Sequence, residues 1–178
     1  INGGYLAVYS GGDGLDANGN IEINGGITIV HGPEKGMNGV FDIGDGSGYY
    51  MVVNGGFLLA AGTADMPITP STNSKQNCLV TRLSSSQNAG TLLNLQNSNG
   101  EILFTFSPAV KYQWVAFSSP DLTNGTYKFY YGGSVSGGTK EDGLYKNENY
   151  TPGTSVSNNI SVSSRITTIG GGGGGFGR

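Results

Sequence analysis

Apolar positions in this chain fall in short clusters between turn residues, and the clusters repeat. Ile1-Asn2-Gly3-Gly4-Tyr5-Leu6-Ala7-Val8 returns as Ile23-Asn24-Gly25-Gly26-Ile27-Thr28-Ile29-Val30, and again as Val53-Asn54-Gly55-Gly56-Phe57-Leu58-Leu59-Ala60. Each copy is an apolar residue, Asn, two Gly and a short strand, with steps of 22 and 30 residues. Self-similarity at such a period marks a repeat architecture. It predicts one coil of a parallel β-helix followed by one carrying an eight-residue insertion, placed within Pro33 to Gly48. A Gly-Gly pair permits positive φ at the bend between two strands. Stacking the same bend on itself aligns Asn2, Asn24 and Asn54 in a hydrogen-bonded ladder. Ile1, Leu6, Val8, Ile21, Ile23, Ile27, Ile29, Val53 and Leu58 are expected to line the interior and its wall.

From Lys75 onward the Asn-Gly-Gly pattern stops. Apolar and aromatic runs at 79–83, 92–95, 102–106, 112–117, 127–131 and 160–169 read as strands, with Asn99-Gly100 and Asn124-Gly125 as hairpin turns. The stretch 66–76, which holds two Pro and several Ser and Thr, reads as the crossing between the two parts. The predicted class is therefore all-β: parallel β-helix coils over 1–65, an antiparallel β-sheet continuation over 66–169, and a Gly-rich tail over 170–178. In isolation that tail would be a flexible linker; if ordered, it needs something to hold it, such as a neighbouring subunit.

Composition narrows the picture. Gly alone supplies 33 of 178 residues, and with Ser, Asn and Thr it makes nearly half the chain, far above ordinary usage. The recurring apolar clusters argue against disorder, and no run of about 18 apolar residues could span a membrane as a helix. A single cysteine, Cys78, excludes an intrachain disulfide without assigning a compartment. The chain starts at Ile1 with neither Met nor a basic-then-apolar leader, so either a signal and more has been removed or this is a fragment. Residues 1–65 carry seven carboxylates against Lys35 alone, a net −6, and the remainder is +3. An acidic first part argues against nucleic acid as a partner.

Those carboxylates need solvent or a metal to relieve their repulsion. Gly12-Asp13-Gly14-Leu15-Asp16-Ala17-Asn18-Gly19-Asn20 places four oxygen-bearing side chains in one Gly-rich turn. The second repeat offers Asn38, Asp42 and Asp45 at the matching place. Ca²⁺ takes six to eight oxygens at about 2.3 to 2.6 Å in irregular geometry, and adjacent coils lie about 4.8 Å apart. A divalent ion between Asp13, Asp16 and Asn18 on one coil and Asn38, Asp42 and Asp45 on the next would convert repulsion into a cross-link. Asp65 is a weaker additional ligand, as is Asp142 in Glu141-Asp142-Gly143-Leu144-Tyr145, an echo of Asp13-Gly14-Leu15. The spacing is not that of an EF-hand. His31 and Cys78, each alone of its kind, give zinc almost nothing to use, and His31 reads as a surface residue. Most aromatics of the second half are expected in the core; alternation in Tyr127-Lys128-Phe129-Tyr130-Tyr131 turns Tyr130 to the other side, where it is a candidate carbohydrate-binding surface.

Gly12-Asp13-Gly14-Leu15-Asp16-Ala17-Asn18-Gly19, the Ile/Val-Asn-Gly-Gly strands, Leu59-Ala60-Ala61-Gly62 and Asp142-Gly143-Leu144-Tyr145 together resemble one family. It is the secreted bacterial carbohydrate-binding domain with a right-handed parallel β-helix similar to pectate lyases; the likeness covers nearly the whole chain and corresponds to that domain's C-terminal portion. The resemblance implies a right-handed helix, Ca²⁺ sites, and binding of cellulose or acidic plant polysaccharide outside the cell or at its surface. Carry-over is firmest for Asp13, Asp16 and Asn18. Two departures stand out: the family has further coils before the point where Ile1 begins, and Met37 occupies a position where an acidic residue is common.

Lyase-type β-elimination needs a base beside the uronate carboxylate. Lys35 is the one basic side chain among the acidic turns, so no enzymatic activity is expected. Two functions are in view: a non-catalytic, Ca²⁺-stabilised polysaccharide-binding protein, and a structural subunit that self-associates into an extracellular fibre by covering unpaired strand edges.

Overall fold

In a computed structural model, which describes residues 1–170, the three Asn-Gly-Gly motifs stack on one another. The first part contains β1 (Asn2–Tyr9), β2 (Leu15–Asp16), β3 (Ile21–Ile23), β4 (Gly25–His31), β5 (Phe41–Asp42), β6 (Met51–Val53) and β7 (Phe57–Gly62). These seven strands form three ladders, all parallel: β1–β4–β7, β2–β5 and β3–β6. Tyr5 pairs with Ile27, an offset of 22, Leu15 with Phe41, an offset of 26, and Ile21 with Met51, an offset of 30. The eight extra residues of the second repeat are thus divided into two four-residue pieces, one before β5 and one after it. The second Gly of each motif has φ near the left-handed region, +82° at Gly4, +83° at Gly26 and +85° at Gly56. A Cβ on Gly26 would sit 2.5 Å from the Gly4 carbonyl oxygen, so neighbouring repeats approach where no side chain fits.

The second part contains β8 (Cys78–Gln87), β9 (Leu93–Asn97), β10 (Ile102–Phe106), β11 (Tyr112–Ser118), β12 (Gly125–Tyr131), β13 (Ser134–Ser136), β14 (Thr139–Glu141), β15 (Leu144–Lys146), β16 (Asn149–Thr151), β17 (Thr154–Val162) and β18 (Ile166–Ile169). The described residues contain no helix. A mixed sheet runs β1-β4-β7-β11-β8-β18, and an antiparallel sheet runs β14-β15-β10-β9-β12-β17. Because β11 is hydrogen-bonded to β7, the mixed sheet crosses residue 65 without a break.

The middle strands of that mixed sheet are buried on both faces. Val30, Leu58, Ala60, Cys78, Val80, Trp114 and Ala116 point towards Ile21, Ile23, Phe41, Met51 and Val53 of the short ladders. Their chain neighbours Ile29, Leu59, Ala61, Leu79, Val115 and Phe117 point the other way, against Leu93, Leu95, Phe104, Phe106 and Phe129 of the antiparallel sheet. Burial on both sides explains why Phe57 to Ala61 and Trp114 to Phe117 read as unbroken apolar runs.

Four expectations need correction. Ile1 is 38% exposed, because it precedes the edge strand β1 and no described strand covers that side. Ile27 and Ile29 pack between the two large sheets, on the opposite face from Ile21, Ile23 and Leu58. The run 160–169 is two strands, β17 and β18, in different sheets, separated at the exposed polar corner Ser163-Ser164-Arg165. Asn99-Gly100 does close the β9–β10 hairpin, but Asn124-Gly125 lies where the chain crosses from one large sheet to the other. The Gly-rich tail beyond Gly170 lies outside the described residues.

Candidate functional site

The acidic turns of the first two repeats are brought together by the β2–β5 ladder. Leu15 and Ala17 donate their backbone N–H groups to the carbonyls of Val40 and Asp42 at 3.0 and 3.1 Å. Asp16 is therefore in register with Asp42. Alternation turns Leu15 and Phe41 inward and leaves both carboxylates outside. Asp13 Oδ1 accepts the Gly39 N–H at 2.6 Å, fixing the first turn to the second. Partial burial, then the negative charges of Asp13 and Asp16 and, more weakly, Asp45, push the Asp42 carboxyl above the usual carboxylate range, against a hydrogen bond from the Ile43 N–H. Asn18 and Asp45 are exposed in these turns and Asn38 is half-buried. The third repeat reaches the same place: a Cβ on Gly39 would meet the carbonyl of Met66, the residue after exposed Asp65.

Among the described residues, no three His, Cys, Asp or Glu side chains converge as a ligand group for one ion. The carboxylates that the register does bring side by side are Asp16 and Asp42, with the amide side chains of Asn18 and Asn38 in the same two turns.

The Asn residues form the expected ladder: Asn54 Nδ2 donates to Asn24 Oδ1 at 2.8 Å, and Asn24 Nδ2 to Asn2 Oδ1 at 2.9 Å. Tyr130 stands half-buried on β12, facing away from Tyr127 and Phe129, with its ring 6.4 Å from that of Tyr150. Cys78 is buried in the core, and burial pushes its thiol up to about 11, which disfavours the thiolate.

A second constellation went unread in the sequence. His31, expected at the surface, is wholly buried, because β4 is covered on that face. Tyr9 stacks on its ring at 4.4 Å with a 13° interplanar angle, and Phe106 lies 5.0 Å away. The Ala109 N–H donates to Nδ1 at 3.0 Å, so the proton of neutral His31 is on Nε2, which donates to the Asp142 carbonyl at 2.9 Å. Burial lowers the His31 pKa, more than the opposing pull of Asp142 raises it.

Asp142 is the hub of this group. Its Oδ2 accepts the Tyr5 phenol and its Oδ1 the Tyr9 phenol, both at 2.7 Å, and these bonds hold its carboxyl below the usual range. Burial and Asp142 raise Tyr9 to about 12 and Tyr5 further. Asp142 and Gly143 have φ of 43° and 78° and form the two-residue turn between β14 and β15, the conformation an Asp-Gly hairpin adopts. A Cβ on Gly143 would sit 2.5 Å from the Ser107 carbonyl oxygen and 2.9 Å from His31 Cε1. An open cleft of about 520 Å³, lined by Tyr9, Ser107, Lys140 and Asp142 among others, lies over the group. The signal that could have located it was Asp142-Gly143 between short strands; nothing local pointed to its partners, 111 to 137 residues away.

Comparison with protein-family models, with curated proteins and with solved structures finds no match.

Proposed function

We propose that this chain is an extracellular, non-catalytic carbohydrate-binding protein, secreted or held at a cell surface. Its residues 1–65 wind as coils of a right-handed parallel β-helix tied by Ca²⁺. The observation that carries the reading is the register of β2 on β5. It sets Asp16 over Asp42 and gathers the charge of Asp13 and Asp45 around them. Such an arrangement is costly with water alone and favourable around a divalent cation. Asp16 and Asp42 would hold the ion, which supplies charge neutralisation and a cross-link between repeats. Exposed Tyr5, Tyr9, Tyr49 and Tyr50, with half-buried Tyr130, supply the aromatic surface that polysaccharide recognition uses. Cellulose and acidic plant polysaccharide are the proposed ligands.

Thermal melts with millimolar Ca²⁺ and with chelator, run beside affinity electrophoresis on cellulose derivatives and polygalacturonate, test both halves. Ca²⁺ is expected to raise Tm and at least one polysaccharide to retard the protein. Identical melts would remove the metal, and unchanged mobility on every polymer would remove the ligand.

A fibre subunit is the second reading. The mixed sheet ends at β1, whose outer backbone edge has no described partner, and Asn2, the end of the Asn ladder, accepts from Asn24. Another copy could pair there. Electron micrographs showing only monomers in Ca²⁺ would exclude it.

A further inference from the structure

Large aromatic side chains on a purely structural surface are normally turned inward, yet two neighbouring tyrosines on one face of β1 stay open to solvent while being rigidly held. Tyr5 is 45% and Tyr9 56% exposed. Resting on the carbohydrate reading above, we infer that Tyr5 and Tyr9 form a pre-set aromatic platform that takes the rings of a neutral hexose polymer at the β1 edge, with the adjoining cleft receiving the chain. Neither ring was among the residues singled out from the sequence.

The platform is fixed from below and from the side. His31 covers one face of Tyr9, so the exposure of Tyr9 comes from its other face and its edges. His31 cannot swing away, because both its nitrogens are engaged, one by the Ala109 N–H and one by the Asp142 carbonyl. The Tyr9 and Tyr5 phenols are tied to the two oxygens of a single carboxylate. Ligand binding therefore freezes little side-chain freedom, which is where much of the cost of association arises. The C–H face of a pyranose stacks on such a ring, and its hydroxyls can meet polar groups at the rim; here the adjoining cleft is lined by Ser107 and Lys140.

Charge selects the polymer. Lys140 and Lys146 balance Glu141 and Asp142 around the hairpin, with Lys146 Nζ on Glu141 at 3.2 Å, so the surface as a whole attracts neither sign. At its centre the Asp142 carboxylate lies against both phenols, and Glu141 adds negative potential at Tyr5. A uronate stacked on these rings would bring like charge towards Asp142; a neutral hexose would not.

Retention on insoluble cellulose, and mobility in gels containing a soluble neutral glucan or polygalacturonate, test the inference on the full chain. Tyr9→Ala is expected to weaken neutral-glucan binding about tenfold. Tyr9→Phe, which keeps the ring and loses only the bond to Asp142, is expected to lose less than about threefold. Ile102→Ala, at an exposed residue outside the cleft, is expected to bind as wild type. Hydroxyl-radical footprinting of the unmodified protein covers the case in which Tyr9→Ala fails to fold: neutral glucan should protect Tyr5 and Tyr9. Wild-type binding undiminished in Tyr9→Ala, unprotected tyrosines in the complex, or polygalacturonate bound in preference on these rings would each overturn the platform while leaving carbohydrate binding intact. Wild type binding no polysaccharide would overturn the carbohydrate reading and the platform with it.

Discussion

Replacing His31 by Phe separates the titrating role of this group from its packing role. The variant keeps an aromatic ring between Tyr9 and Phe106 but leaves the Ala109 N–H and the Asp142 carbonyl without their partner. An orphaned donor or acceptor at a partly buried site costs about 1–3 kcal/mol, which for a chain of this size lowers Tm by roughly 5 °C at neutral pH. The pH dependence is the sharper measurement. Burial depresses the His31 pKa, so below the ordinary value of 6.5 the unfolded chain binds a proton that the folded chain refuses. Stability is then fully present above pH 6.5 and declines as pH falls towards the folded pKa, by at most about 1.4 kcal/mol per pH unit. His31 is the sole histidine. Asp42, with its raised pKa, works in the opposite sense, gaining relative stability on protonation as pH falls through its folded value. Asp142, with its lowered pKa, gives up its contribution below the ordinary carboxylate value. Urea titrations at pH 7.5, 6.5 and 5.5 on wild type and His31→Phe are the assay. Wild type should lose stability between 6.5 and 5.5 and the variant should be flat there; an equal acid slope in both would refute the assignment of that window to His31.

The remaining predictions concern the repeats and the layer between the sheets. Asp42→Asn, assayed by thermal melts in chelator, should raise Tm by removing the repulsion around Asp42, and should shrink any stabilisation by added Ca²⁺; a lower Tm in chelator would contradict the charge reading. Gly26→Ala forces a side chain to φ +83° and into the Gly4 carbonyl. It should cost more than about 2 kcal/mol by urea denaturation, whereas Ala at exposed Gly11, which has open space around it, should cost little. Phe117→Ala removes a ring that is 1% exposed and packs against Phe57 and Phe104. A loss of roughly 3–5 kcal/mol is expected, measured in the same titrations.

What could be read in the sequence, and what could not, follows from how far each feature depends on chain neighbours. The Asn ladder was legible because identical residues at the same bend must stack if the repeats are in register, and the period alone fixes that register. Division of the insertion around β5 was not legible, since a sequence offset gives only the total. Strand alternation placed Tyr127 and Phe129 in the core and turned Tyr130 outward, as observed. It could not say that Leu58 and Leu59 serve two different cores, because that needs both layers.

The turn dipeptides show where local information ends. Asn99-Gly100, Asn124-Gly125 and Asp142-Gly143 look alike in sequence. The first and third close hairpins within the antiparallel sheet, and the second carries the chain between sheets. A dipeptide sets the backbone's local bend but not whether the flanking strands share hydrogen bonds. The same limit hid the group around Asp142, whose carboxylate reads as one more acidic turn until the packing of the two sheets carries it to β1. There it meets phenols instead of other carboxylates. Asp142 and Asp42 are both aspartates beside a Gly-rich stretch, yet one is held ionised by two donors and the other is pressed towards its neutral form by partial burial and then by its carboxylate neighbours. Composition assigns both to cation binding; only the long-range register separates the carboxylate that accepts hydrogen bonds from tyrosine hydroxyls from the one set among other carboxylates.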